Sequence, residues 1–158
     1  MNTSVKLNLS EIHYRIAQLA DVEKVYLFET NKRFSHIVDE YEQQMAVWSE
    51  PFRKESLEHY FKLGWSFLAL SKNNEIIGFF LGQPLLFFAN HTQTLWLEYI
   101  SAIDISVSTE LVDIAYRLAK EKHFQRVLLS EDIQAMNLEK QFPFQKWEKN
   151  INFLKTTK

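Results

Sequence analysis

The sequence predicts a mixed α/β fold in which one open, mostly antiparallel and splayed β-sheet is flanked by helices, and three observations predict it. Residues 94–105 alternate Leu95, Leu97, Tyr99, Ile103 and Ile105 against Trp96, Glu98, Ile100 and Asp104, the period-two pattern of a strand with one strongly apolar face. On that alternation Glu98 shares a face with Trp96 and Ile100, while Tyr99 points the other way, into the core. Leu111, Ile114, Ala115, Leu118 and Ala119 then fall on one stripe of a helix over 109–122. Residues 124–129 are extended again, so strand, helix and strand make a crossover unit. Finally, 65–70 and 76–88 are extended runs joined by a polar turn at 72–75, whose Asn73-Asn74 suits a hairpin.

The other elements follow in order. Ile12, Tyr14 and Ile16 alternate with polar neighbours in a first strand over 12–19, and Asp21 supplies the N-cap of a helix that runs to about Phe34. Ile37, Val38, Tyr41, Met45 and Trp48 recur at helical spacing over 35–49. Ser49-Glu50-Pro51 is a helix start and Gly64 a stop, with Phe52, Leu57, Tyr60 and Phe61 on the inner side. Gly82-Gln83-Pro84 interrupts the long strand and predicts a bulge or a splayed edge, because proline cannot donate to a central ladder. Residues 90–93 read as a loop, 131–141 as a short helix stopped by Pro143, and 145–155 as a closing strand with Trp147, Ile151 and Phe153 on one face. No repeat or linker divides the chain, so 1–158 reads as a single domain.

Composition narrows the function. The chain is 46% hydrophobic and 24% charged, enough to build one core without staples. Thirteen Phe, six Tyr and four Trp are many for this length and suggest an aromatic core; an apolar groove or a homodimer surface in addition to it is the sharper reading. A net charge of −2 with no dense basic cluster gives no reason to expect nucleic acid as a partner. The absence of cysteine excludes thiol catalysis and thiolate metal sites and suits a reducing cytoplasm. The five histidines are scattered and form no ligand motif. Residues 1–11 lack the apolar core of a secretory signal, and the greasy run at 76–89 is too short to span a bilayer, so a cytoplasmic protein without a membrane partner is expected.

The element order, together with the strand and Asp-initiated helix at 14–21, the hairpin SFLALSKNNEIIGFFLG at 66–82 and the stretch AYRLAKEKHFQRVLLS at 115–130, resembles the GNAT superfamily of N-acetyltransferases over nearly the whole chain. The family's late pattern Asn-x-x-Ala-x-x-x-Tyr-x-x-x-Gly-Phe meets Asp132, Ala135, Glu139, Pro143 and Phe144 at the same spacing. The resemblance implies an acyltransferase that carries an acyl group, typically acetyl, from acetyl-CoA to a small-molecule or peptide amine. It implies Glu98 as the catalytic base on the central strand and backbone contacts to the cofactor near Ile100 and Ile103. Ser106, Ser108 and Thr109 are then placed where such enzymes cradle the pyrophosphate; plain capping of the helix is the other reading of these three. Tyr41, Met45, Trp48 and Trp96 would line the acceptor side, or simply pack.

Two departures from the family pattern bear on chemistry. The loop at 104–109 contains no glycine, and Asp104 would set a negative charge beside two phosphates, so the cofactor loop is degenerate. The family's frequent proton-donating Tyr is replaced by Glu139, whose carboxyl is ionised at neutral pH unless strongly perturbed. The sequence therefore supports two expectations: an N-acyltransferase with a divergent loop, or a GNAT-fold binding or regulatory module that has lost chemistry, in which a homodimer is one arrangement.

Overall fold

The structure is a computed structural model, and it describes residues 8–133, 137–147, 152 and 154–156. These residues form a five-stranded sheet in which sequence order is also spatial order. The strands are β1 (His13–Ile16), β2 (Phe67–Leu70), β3 (Ile76–Phe88), β4 (His91–Ala102) and β5 (Arg126–Leu129). All pairs are antiparallel except β4 with β5, which is parallel, as the crossover unit requires. The helices are α1 (Val22–Phe34), α2 (Glu40–Val47), α3 (Lys54–Leu63), α4 (Ile105–Glu121) and the short α5 (Leu138–Gln141). Two cores result. On one face Val25, Phe52, Leu57 and Phe61 pack over Leu68, Phe79 and Leu81; on the other, Val107, Leu111 and Ala115 of α4 pack over Phe80, Leu95 and Leu97. No helix among the described residues is long and apolar enough to cross a membrane.

Several predicted boundaries move, each for a local reason. Asp21 does not cap α1 with its side chain. It ends a 3-10 turn at Leu19–Asp21, where its carboxylate takes both guanidinium nitrogens of Arg15 at 2.7 and 2.8 Å and the Gln18 N–H at 2.8 Å. Those bonds hold its pKa below the ordinary range, with the Arg15 hydrogen bonds as the main cause. The second helix is only Glu40–Val47, capped by Asp39, and buries Val47 rather than Tyr41, Met45 or Trp48. The third begins at Lys54, three residues beyond Pro51, and ends as predicted at Gly64, whose φ of 75° is the left-handed conformation that glycine adopts without strain. The predicted loop at 90–93 is instead a tight hairpin: Ala89 and Asn90 carry φ of 47° and 66°, and β4 starts at His91. Helix α4 starts at Ile105, not 109, because Asp104 caps it. The closing strand does not form in its described part; residues 143–147 are irregular, and Ile151 and Phe153 lie outside the described residues. Of the predicted helix at 131–141 only Leu138–Gln141 is helical, with 134–136, Ala135 included, outside the described residues.

The central correction is at Glu98. Leu81 pairs with Tyr99 and Gly82 with Leu97, which leaves Glu98 as the extra residue of a β-bulge. The bulge resets the alternation. Leu95, Leu97, Ile100 and Ala102 pack toward α4, whereas Tyr99 packs on Phe52 and Phe79 in the layer of α1 and α3. Glu98 does not share a face with Ile100, therefore, and Tyr99 does not oppose Glu98. The break predicted at Gly82 falls at this register shift, and β3 itself runs on through Pro84.

Candidate functional site

Strand β5 pairs with β4 only from Thr94 to Leu97; the outer edge of β4 beyond that point has no strand beside it among the described residues. The two strands thus form a fork, and Glu98, bulged out of register, stands at its apex. Two cavities meet this region.

The larger, about 770 Å³, follows the open edge of β4 from Tyr99 to Ile103 and reaches Asp104, Ile105 and Ser108 at the start of α4, with Asp132 after β5 also in its wall. Its other wall is a polar network from α1. Glu29 is fully buried, yet each carboxylate oxygen has a donor: Tyr99 Oη at 2.5 Å and Ser101 Oγ at 2.6 Å. Lys32 Nζ donates to Ser101 Oγ at 3.0 Å, and Arg33 pairs with Glu50 at 2.7 and 3.2 Å while donating to Tyr99 Oη at 3.3 Å. Burial, reinforced by Glu29, pushes the Tyr99 phenol far above its ordinary pKa, so it stays a donor. A buried carboxylate is tolerated here because both oxygens are satisfied.

The helix end of this cavity is already occupied by protein. Asp104 Oδ1 accepts from the N–H of Ser106 at 2.7 Å and of Val107 at 3.3 Å, and the Ser106 hydroxyl also donates to it. The Ser106 hydroxyl bond is the main cause of the lowered Asp104 pKa, with the two backbone N–H groups adding to it. Ser108 lines the cavity, Ser106 is turned into the cap, and the Thr109 hydroxyl donates back to the Ile105 carbonyl at 2.9 Å.

The smaller cavity, about 340 Å³, lies on the α3 side of the same fork. Gln83, Leu85 and Phe88 of β3, Trp96 and Glu98 of β4, Leu128 of β5, Tyr60 of α3 and Trp147 of the C-terminal segment line it. Trp96 Nε1 donates to Glu98 Oε2 at 2.5 Å, which orients the carboxylate. No basic side chain pairs with Glu98 among the described residues. The Tyr60 phenol is pushed up to about 12, mainly by burial and also by the Glu98 charge.

The structure therefore brings together Glu98 and Trp96 on one side of the fork, and Ile100, Ile103 and Ser108 on the other. Tyr41, Met45 and Trp48 stay exposed on α2 and line neither cavity. Glu139 is exposed on α5. Glu29, Tyr60 and Trp147 were not legible as site residues, although Glu29 falls on the same helical stripe as Val22 and Val25, where a carboxylate is out of place.

No protein-family model matches the sequence, and no curated protein matches it either. Solved structures do. A possible acetyltransferase from Clostridium difficile 630 superposes with a TM-score of 0.66 at 9% identity, over 93% of this chain and 99% of that one. A predicted acetyltransferase from Clostridium acetobutylicum, solved with acetyl-CoA, gives 0.62 at 15% identity over 90% and 96%. A GNAT-family acetyltransferase from Listeria monocytogenes 4b F2365 gives 0.55 at 16% identity over 75% of each chain. The five-stranded sheet and the helices that flank it thus have the fold of the GNAT acetyltransferases.

Proposed function

We propose that the protein is an acyl-CoA-dependent N-acyltransferase that moves an acyl group, acetyl in the simplest case, to an amine. The observation that carries this reading is the fork itself: an unpaired strand edge on the cofactor side, with a carboxylate at its apex facing a separate pocket. The edge of β4 near Ile100 and Ile103 fits an extended, amide-bearing chain that hydrogen-bonds as a strand would. The cofactor, when bound, supplies the thioester carbonyl. The amine reaches it from the Glu98 pocket, beside Trp96; Tyr41, Met45 and Trp48, which line neither cavity, would meet only an acceptor that extends well beyond that pocket. Glu98 accepts one proton from the ammonium and frees the lone pair for attack; as the C–N bond forms and the C–S bond breaks, the remaining excess proton on nitrogen ends on the departing thiolate, which leaves as the thiol.

A specific observation favours a second reading. The N-terminus of α4, where Ser106, Ser108 and Thr109 would meet phosphate, is closed by the Asp104 carboxylate. A degenerate, non-catalytic binding module, alone or as a homodimer, would have this feature.

Calorimetric titration with acetyl-CoA and with CoA, followed by turnover against an amine panel, separates the two readings. Micromolar binding, with Glu98→Gln lowering turnover by about a hundredfold or more while leaving cofactor affinity nearly unchanged, is the expected result. The absence of heat at millimolar cofactor would move the assignment to the binding module.

A further inference from the structure

The acceptor-side cavity has a composition that selects among amines. Four of its lining side chains are aromatic: Tyr60, Phe88, Trp96 and Trp147. Its charged group is Glu98, half-buried, held by the Trp96 indole and without a cationic partner among the described residues. Its remaining polar lining side chain, Gln83, is neutral. Arg126 comes near, with its guanidinium 5.4 Å from the Trp147 ring; its hydrogen bonds, to Thr94 Oγ1 at 3.1 Å and the Phe88 carbonyl at 3.1 Å, hold it at the pocket's margin with its charge intact, so the walls left open to an incoming cation are chiefly Tyr60 and Trp96 beside Glu98. An isolated carboxylate among aromatic rings is costly until a cation meets it, and those rings attract a cation in turn. By the same bookkeeping the pocket repels an acceptor that carries its own carboxylate near the amine, and it offers too few hydrogen-bonding groups for a polyhydroxylated one.

Resting on the acyltransferase reading above, we infer that this pocket takes a compact alkylammonium or aralkylammonium head, and that the acceptor is a simple cationic amine rather than an amino acid or an aminosugar. The amine enters charged, its ammonium against Glu98 and the aromatic walls, and becomes a nucleophile by passing one proton to that carboxylate or to a water beside it; the second proton, lost as the C–N bond forms, ends on the departing thiolate.

The test separates recognition from chemistry. Choline carries a cationic head that cannot be N-acylated, and 3,3-dimethylbutan-1-ol is its neutral counterpart of the same shape. Both are titrated into the intact protein and followed by calorimetry and tryptophan fluorescence. Choline is expected to bind about tenfold tighter than the alcohol. Glu98→Gln should abolish that preference, and Trp147→Ala, a change at a partly exposed residue outside the core, should weaken choline alone. Equal affinity for the two probes, or no binding of choline at tens of millimolar, overturns the inference. If choline binds as expected while no amine is acetylated, recognition stands and the acyltransferase reading falls. If amino acids or aminosugars are acetylated and choline does not bind, the reverse holds.

Discussion

Asp104 puts a full negative charge within hydrogen-bond distance of the N–H groups that open α4, the place where the helix dipole would otherwise favour an anionic ligand. The cap satisfies donors that would be orphaned, and it lowers the attraction of the cleft beside β4 for phosphate. The two effects can be separated, since asparagine caps a helix about as well as aspartate but carries no charge. Asp104→Asn should leave the thermal midpoint within a few degrees and tighten acetyl-CoA binding by about tenfold, the size expected for removing one like charge from an exposed helix end where solvent screens it nearly as bulk water does. An unchanged affinity in calorimetry would mean that the phosphates do not reach this helix end.

At the scale of the element, Gly82 sits at the register shift opposite the bulge on β4 and lies close against the chain that leads into β2. A Cβ there would lie 2.4 Å from the Trp65 carbonyl oxygen, and the Gly82 N–H donates to Ser66 Oγ at 3.1 Å. Gly82→Ala should therefore cost about 1–3 kcal/mol in chemical denaturation and disturb the position of Glu98. A variant as stable as the wild type would show that the strands part freely at this point. The same bulge marks the limit of what the sequence disclosed. Alternation is a faithful guide while the ladder is regular, and it located β3, β4 and the apolar stripe of α4. One inserted residue then inverts every later assignment, which is why Tyr99 changed faces and Ile100 moved away from Glu98. Gly82-Gln83-Pro84 was the one local sign of it. Glu98 and Trp96 were legible because they precede the inversion. Glu29 was not, because its donors Tyr99 and Ser101 come from a strand some seventy residues later, and Trp147 was read as part of a strand that does not form in the described part of its segment.

For the whole molecule, the titrating groups set a broad plateau of stability. Asp21 and Asp104 have lowered pKa values in the folded state. Their contribution is present above the unfolded carboxylate value of about 3.9 and is lost as pH falls through the lower folded values. Tyr14 and Tyr60 have values raised to about 12, in both cases chiefly by burial. Their contribution is complete below the unfolded phenol value of about 10 and is lost as pH rises toward the folded one. The thermal midpoint should therefore stay nearly flat between about pH 5 and pH 9 and fall on either side, as followed by circular dichroism. A marked fall near neutrality would show that other groups govern the pH dependence. Glu98→Gln should also lower the pH at which the Tyr60 phenolate appears by ultraviolet absorbance, because the carboxylate charge helps to keep that phenol protonated.

The unpaired edge of β4 has a second consequence, for the life of the protein before it meets a ligand. Because β5 departs after Leu97, no strand among the described residues takes the backbone donors and acceptors beyond it on that side, and an extended chain could pair with them. Such an edge is what lets strangers add to a sheet, and proteins ordinarily cover it, twist it or charge it. Here the bulge twists it at one end, while Asp104 charges the other. A cofactor lying along the fork would act as a temporary sixth strand, so that occupancy and protection from self-association rise and fall together.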